Sequence, residues 1–117
     1  MPSFIKSVSY ALNGLKIAFK EKHLKIHLAA VILVTIAGFY FHITQTEWLI
    51  CLLLFALIVS LEIINTAIEH LVNLVSPQQN PLAGKIKDLA AGAVLVASIF
   101  AFIAGSLIFG KYILDLF

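Results

Sequence analysis

The chain has 117 residues, 62% hydrophobic and 12% charged, with a formal net charge of +2. A soluble domain of this size carries about a quarter charged residues and buries only part of its surface, so a mean hydropathy of +1.05 excludes a water-soluble globule and makes the bilayer its solvent. The small net charge excludes nucleic acid as a natural partner, and with all eight basic residues lysine, phosphate recognition falls to lysine point charges, backbone N–H groups or metal.

Residues 1–23 open the chain as an amphipathic helix. Phe4, Val8, Leu12, Leu15 and Phe19 share one face of the wheel, and Lys6, Asn13, Lys16 and Lys20 share the other. A lysine face opposite an aromatic and aliphatic face is the pattern of a helix lying in the membrane interface. The lysines also interrupt this first apolar stretch, so no signal peptide is expected. Three low-charge segments follow, 26–46, 48–75 and 89–110. At about 1.5 Å per residue each can cross a hydrocarbon core of roughly 30 Å. TQTE forms a tight connection between the first two, and the prolines and glycine of SPQQNPLAGKIKD make residues 76–88 a loop. The expected fold is an all-α membrane protein of one domain, 1–117, with three transmembrane helices and an N-terminal interfacial helix. Cys51, the single cysteine, excludes an intrachain disulfide.

Seven of the eight lysines precede the first span or lie in residues 76–88 after the second. The rule that lysine-rich segments stay inside places the N-terminal helix and residues 76–88 in the cytoplasm. Both lie on the side of the membrane where the second span carries its carboxylates.

That second span holds the informative stretch, LEIINTAIEH at 61–70. With about 100° per residue and Glu62 at zero, Asn65 falls near −60°, Thr66 near +40°, Glu69 near −20° and Asn73 near +20°. The polar groups thus share roughly a 100° arc, with His70 beside it and apolar residues elsewhere. One asparagine or threonine in a span is ordinarily helix-to-helix glue. Two stacked glutamates repel unless a cation or a proton intervenes, and a carboxylate at membrane depth pairs, protonates or binds a cation. Glu69 is expected near the water, as a metal ligand. Glu62, about 10 Å deeper, is a candidate base. Glu21, Lys85, Lys87 and Asp88 reach the same interfacial level. Such equipment suits magnesium-assisted phosphoryl transfer to a lipid hydroxyl, and without a GxxxxGK loop it is not a P-loop enzyme. Intramembrane carboxylates also fit a proton- or cation-coupled transport protein, or a purely structural oligomer, although no ionisable group continues the path through the outer half of the span.

The motif ExxNxAxE (Glu62, Asn65, Ala67, Glu69), followed by a short loop and KDLAAGAVL (Lys87–Leu95), resembles the bacterial integral-membrane diacylglycerol and undecaprenol kinases. YALNGLKIAFKEKHLKIH resembles that family's surface helix and its entry to the first span. The resemblance covers roughly residues 6–105 and implies a homotrimer in the bacterial inner membrane, with active sites shared between neighbours. It also implies ATP- and Mg2+-dependent phosphorylation of a lipid alcohol. Carried over by position, Glu62 corresponds to the family's base, and Asn65 to the asparagine that supports it. Glu21 and Glu69 correspond to metal- and nucleotide-coordinating glutamates, Lys87 and Asp88 to the nucleotide-contacting pair, and Tyr10 to a tyrosine of the surface helix. Asn73 stands where the family usually has aspartate, and Gln78, Gln79 and Asn80 replace an acidic–aromatic–histidine run. AAGAVL and KIH are closer to the undecaprenol kinase branch.

The remaining signals are structural. His23 and His27 are four residues apart, but two ligands without a third make a poor metal site, so they are expected near lipid headgroups. Ala93, Ala97, Ala101 and Gly105 form a ridge for close helix packing. Phe39, Phe41 and Trp48 suit an outer aromatic belt.

Overall fold

A computed structural model describes residues 2–117 as four helices: α1 (Pro2–Ala18), α2 (Lys22–Phe41), α3 (Gln45–Val75) and α4 (Pro81–Leu114). Helices α2, α3 and α4 are each long and apolar enough to cross a membrane. Their lengths differ in a way that positions the site. The 20 residues of α2 measure about 30 Å, one hydrocarbon thickness. The 31 residues of α3 and 34 of α4 run to about 46 and 51 Å and must project beyond it.

Two caps and one clamp align the helices at the α2–α3 turn. His42 ends α2 in the left-handed region at φ 53°, and the N–H groups of His42 and Ile43 both reach the Gly38 carbonyl. Thr44 then opens α3 with a capping box. Its hydroxyl accepts from Glu47 N–H at 3.2 Å, and its own N–H donates to Glu47 Oε1 at 2.9 Å, satisfying two donors that a helix start leaves unpaired. The same carboxylate holds the far end of α4: Tyr112 Oη donates to Oε1 at 2.6 Å, and Lys111 Nζ lies 2.8 Å from Oε2. Around this clamp, Ile43, Cys51 and Ile108 are buried under Val34, Phe41, Trp48, Phe55, Phe109 and Tyr112. Because the ends are pinned here, the excess length of α3 and α4 emerges at the opposite end.

At that opposite end, Asn80 Oδ1 accepts from Leu82 N–H at 2.9 Å and Pro81 occupies the first helical position, where its missing N–H costs nothing. The connection between α3 and α4 is therefore only residues 76–80, shorter than the 76–88 loop expected, and Lys85, Lys87 and Asp88 stand on α4 itself. Helix α1 likewise stops at Ala18, short of the 1–23 expected, and Glu21 is the N-cap residue of α2. Along the helices the usual polarity is reversed: Ile64, Leu71, Leu74, Leu95, Phe102 and Leu107 are exposed, as lipid-facing residues are, while Glu62, Asn65 and Thr66 are buried.

Gly38 marks the tightest approach. A Cβ there would lie 2.6 Å from Trp48 Cη2 and 2.8 Å from Cζ2, and the indole is held against Phe39, with ring centroids 4.9 Å apart. Gly38→Ala should therefore destabilise the protein by about 1–3 kcal/mol through overpacking, seen as a lower midpoint of thermal unfolding in detergent.

Candidate active site

The polar stripe of α3 lies on its inner face. Glu62 is 4% exposed, Asn65 6% and Thr66 7%, so most of the arc expected to be polar is turned toward protein rather than lipid. Thr66 spends its hydroxyl on the backbone, donating to the Glu62 carbonyl at 3.1 Å. The Glu62 carboxylate is met from α2: His27 Nε2 lies 3.2 Å from Glu62 Oε2. Sequence reasoning assigned His27 to the headgroup region. What could have linked it to Glu62 is depth, since His27 lies six residues in from Glu21 and Glu62 eight residues in from His70.

That level is set by a second contact. His70 Nε2 lies 3.6 Å from Glu21 Oε1, so the start of α2 meets α3 one residue beyond Glu69. Because α2 spans one hydrocarbon thickness, Glu21, Glu69 and His70 stand at the membrane boundary, and His27 and Glu62 about 8–10 Å inside it. Asn65 connects the two depths. Its Nδ2 donates to Glu69 Oε1 at 3.2 Å, so its amide serves the boundary carboxylate and not Glu62. Its Oδ1 is buried without a partner.

Farther out, Lys87 donates to Asn73 Oδ1, which joins the first turns of α4 to the end of α3. Asn73, the position where the resembled family usually has aspartate, thus still receives a lysine. A hollow of about 540 Å³ opens beside this bond, lined by Asn73, residues 76–81, Ala83, Gly84 and Lys87. Asp88 is exposed on α4, and Tyr10 is 72% exposed on α1. Neither is joined to the glutamates by a hydrogen bond or ion pair among the described residues.

The donors present suit a hard cation. Glu69, Glu21 and the unpartnered Asn65 oxygen are all oxygen ligands. No three His, Cys, Asp or Glu side chains gather closely enough to hold a metal among the described residues.

On the other side of His27, a cleft of about 270 Å³ runs between α2, α3 and α4 toward the clamped end. Its lining from Ala30, Val31 and Ile58 to Val34, Cys51 and Ile108 is apolar apart from His27, Cys51 and Ser98. The site therefore has a wet end at Glu69 and Lys87, and an apolar end beyond His27. Between them sits one buried carboxylate.

The sequence profile of the prokaryotic diacylglycerol kinase family matches residues 9–109. The chain is 43% identical over 107 residues to an undecaprenol kinase of Bacillus subtilis, covering 91% of this chain and 87% of the relative. It is 36% identical over 106 residues to a diacylglycerol kinase of Synechocystis, covering 89% of this chain and 61% of that longer protein. To a diacylglycerol kinase of Helicobacter pylori it is 34% identical over 114 residues, covering 96% and 85%.

The buried, half-satisfied Asn65 gives a direct test of whether the stripe is structural. An unpaired buried carbonyl costs about 1–3 kcal/mol. Asn65→Leu should leave stability within about 1 kcal/mol of the parent, while lipid phosphorylation falls about 10- to 100-fold, the usual loss when a ligand's supporting partner is removed. Unfolding midpoint and labelled-phosphate transfer, measured on the same preparation, check both halves.

Proposed function

The chain belongs to the prokaryotic diacylglycerol kinase family and is a multi-pass membrane lipid kinase, and from that premise we propose that it transfers the γ-phosphoryl group of ATP to a lipid hydroxyl held at Glu62. The observation that carries this reading is the depth and burial of Glu62, a carboxylate 4% exposed beside a membrane-level apolar cleft. A water-soluble acceptor gains nothing from such a base. A lipid alcohol, whose tail must remain in hydrocarbon, reaches it from the side.

In this scheme the hydroxyl enters laterally and Glu62 takes its proton as the lipid oxygen bonds to the γ-phosphorus and ADP leaves. Asn65 holds the Glu69 carboxylate in place. Glu69 and Glu21 are the residues that would hold magnesium. Bound there, the ion supplies charge neutralisation across the phosphates. Lys87, on the rim of the outer hollow, offsets phosphate charge, Asp88 orients Lys87 or the nucleotide, and Tyr10 contacts the nucleotide from the surface helix. The lysines of α1 and of the first turns of α4 support a cytoplasmic orientation for this side of the membrane, where ATP is found. Tyr10 and Asp88 stand apart from the glutamates within one chain, which favours a homotrimer whose sites are completed by a neighbour. Undecaprenol is the proposed acceptor ahead of diacylglycerol, supported by the 43% identity to a protein named undecaprenol kinase and by the KIH and AAGAVL segments.

Glu62→Gln should lower transfer of label from ATP to either lipid by about 10²- to 10⁴-fold, the range for a general base. The parent protein, offered undecaprenol and diacylglycerol side by side, should label undecaprenol faster. Near-parental transfer by the Gln variant would make the base assignment wrong. Glu69→Gln should raise the magnesium concentration needed for half-maximal rate by about 10- to 100-fold, and an unchanged magnesium titration would remove its metal role.

A further inference from the structure

The Glu62 carboxylate has one side-chain partner among the described residues, and it is not on α3. Thr66 uses its hydroxyl on the Glu62 backbone carbonyl, and Asn65 turns its amide to Glu69. The contact from α2, His27 Nε2 to Glu62 Oε2 at 3.2 Å, joins side chains 23% and 5% exposed. His27 also lines the cleft between the three spans. Its ring is thus the surface where the carboxylate and the apolar entry route meet. The only other noncarbon side-chain groups on that cleft are Ser98, whose Oγ is buried without a partner, and Cys51 near the clamped end.

No charged side chain other than His27 lines the cleft, and Lys25, half a turn nearer the boundary on α2, is exposed. Helix α4 presents Ser98, Ala101 and Phe102 to the cleft, and α3 presents Leu54, Phe55 and Ile58. Glu21, Glu69 and His70 lie at the boundary, and the α4 charges Lys85, Lys87 and Asp88 lie farther out still. A carboxylate in such surroundings rotates freely about its last torsion unless something holds one oxygen. A base must be within about 3 Å of the proton it takes.

We propose that His27 is a positioning residue for the phosphoryl transfer: by engaging Oε2 of Glu62 through Nε2, it leaves Oε1 aimed at the hydroxyl of a lipid alcohol entering past the cleft. This rests on the reading of Glu62 as the base. The imidazole exchanges no proton with the substrate in this scheme. Its work is angular, holding the carboxylate in the one orientation that the hydroxyl can reach, and it acts in the transfer step rather than in lipid binding.

The test compares two amides that differ in reach. In His27→Gln the terminal N–H₂ falls near the position of the imidazole Nε2, and in His27→Asn it stops one methylene short, near Nδ1. Both are neutral and polar, so a general loss of packing or charge affects them alike. Initial rates of label transfer from ATP to undecaprenol in bicelles, with lipid and ATP varied, give kcat and KM. The expected result is a kcat for the Asn variant lower by about 10- to 100-fold, a kcat for the Gln variant within about fivefold of the parent, and lipid KM values changed by less than about threefold in both. Equal kcat values for Gln and Asn, whether high or low, overturn the proposal, as does a loss carried by KM. Glu62→Gln, run alongside, separates the two levels of the account. If that variant is inactive while Gln and Asn at position 27 behave alike, only the role of His27 is lost. If it is active, the base assignment itself is lost.

Discussion

Everything at the inner half of this protein follows from the cost of keeping a carboxylate below the membrane surface. An ionised group at that depth is unfavourable by a few kcal/mol or more unless it is paired, and turning Glu62 outward would only set it against hydrocarbon. Instead the helix turns Glu62, Asn65 and Thr66 inward and gives Ile64, Leu71 and Leu74 to lipid. The contact from His27 then sets where α2 lies against α3, the imidazole and carboxylate standing at one height. A second pairing, His70 with Glu21, fixes the same helices one boundary farther out.

The clamp at the other end has the complementary role. Glu47 gathers Thr44, Lys111 and Tyr112 onto one carboxylate, so three helices share a common zero of height. With that end aligned, α2 measures the bilayer and α3 and α4 overshoot it by about 15–20 Å. The overshoot carries Glu69, Asn73 and Lys87 into water, while Glu62 stays inside. A kinase that joins a water-soluble nucleotide to a membrane alcohol needs donor and acceptor on either side of that boundary. In the proposed scheme a single helix, α3, provides both positions, Glu69 and Glu62, two turns apart.

Much of this was legible in the chain. The 100° spacing of Glu62, Asn65, Thr66 and Glu69 gave one polar face before any coordinates, and hydropathy located three spans, because both signals are local and periodic. Termini were harder. Asn80 and Pro81 start α4 within what reads as a loop, since capping chemistry overrides the run of turn-forming residues around it. Pairing was not legible at all. That Asn65 serves Glu69, that Glu21 meets His70 and that His27 reaches Glu62 depend on how helices distant in sequence register against one another. His27 in particular reads in sequence as half of an i, i+4 pair with His23, and only the height of α2 against α3 separates the two. His23 is exposed and His27 is turned inward.

The central claim is that phosphoryl transfer happens where lipid reaches and bulk water does not. Its most direct test is the coupling of nucleotide turnover to lipid phosphorylation: ADP release and lipid phosphate are measured together in bicelles, with and without undecaprenol or diacylglycerol. The account predicts that ADP release is slow without lipid alcohol, rises when it is added, and is matched mole for mole by lipid phosphate. ADP release at the same rate with and without lipid alcohol would place the acceptor in water, and contradict a buried base at Glu62.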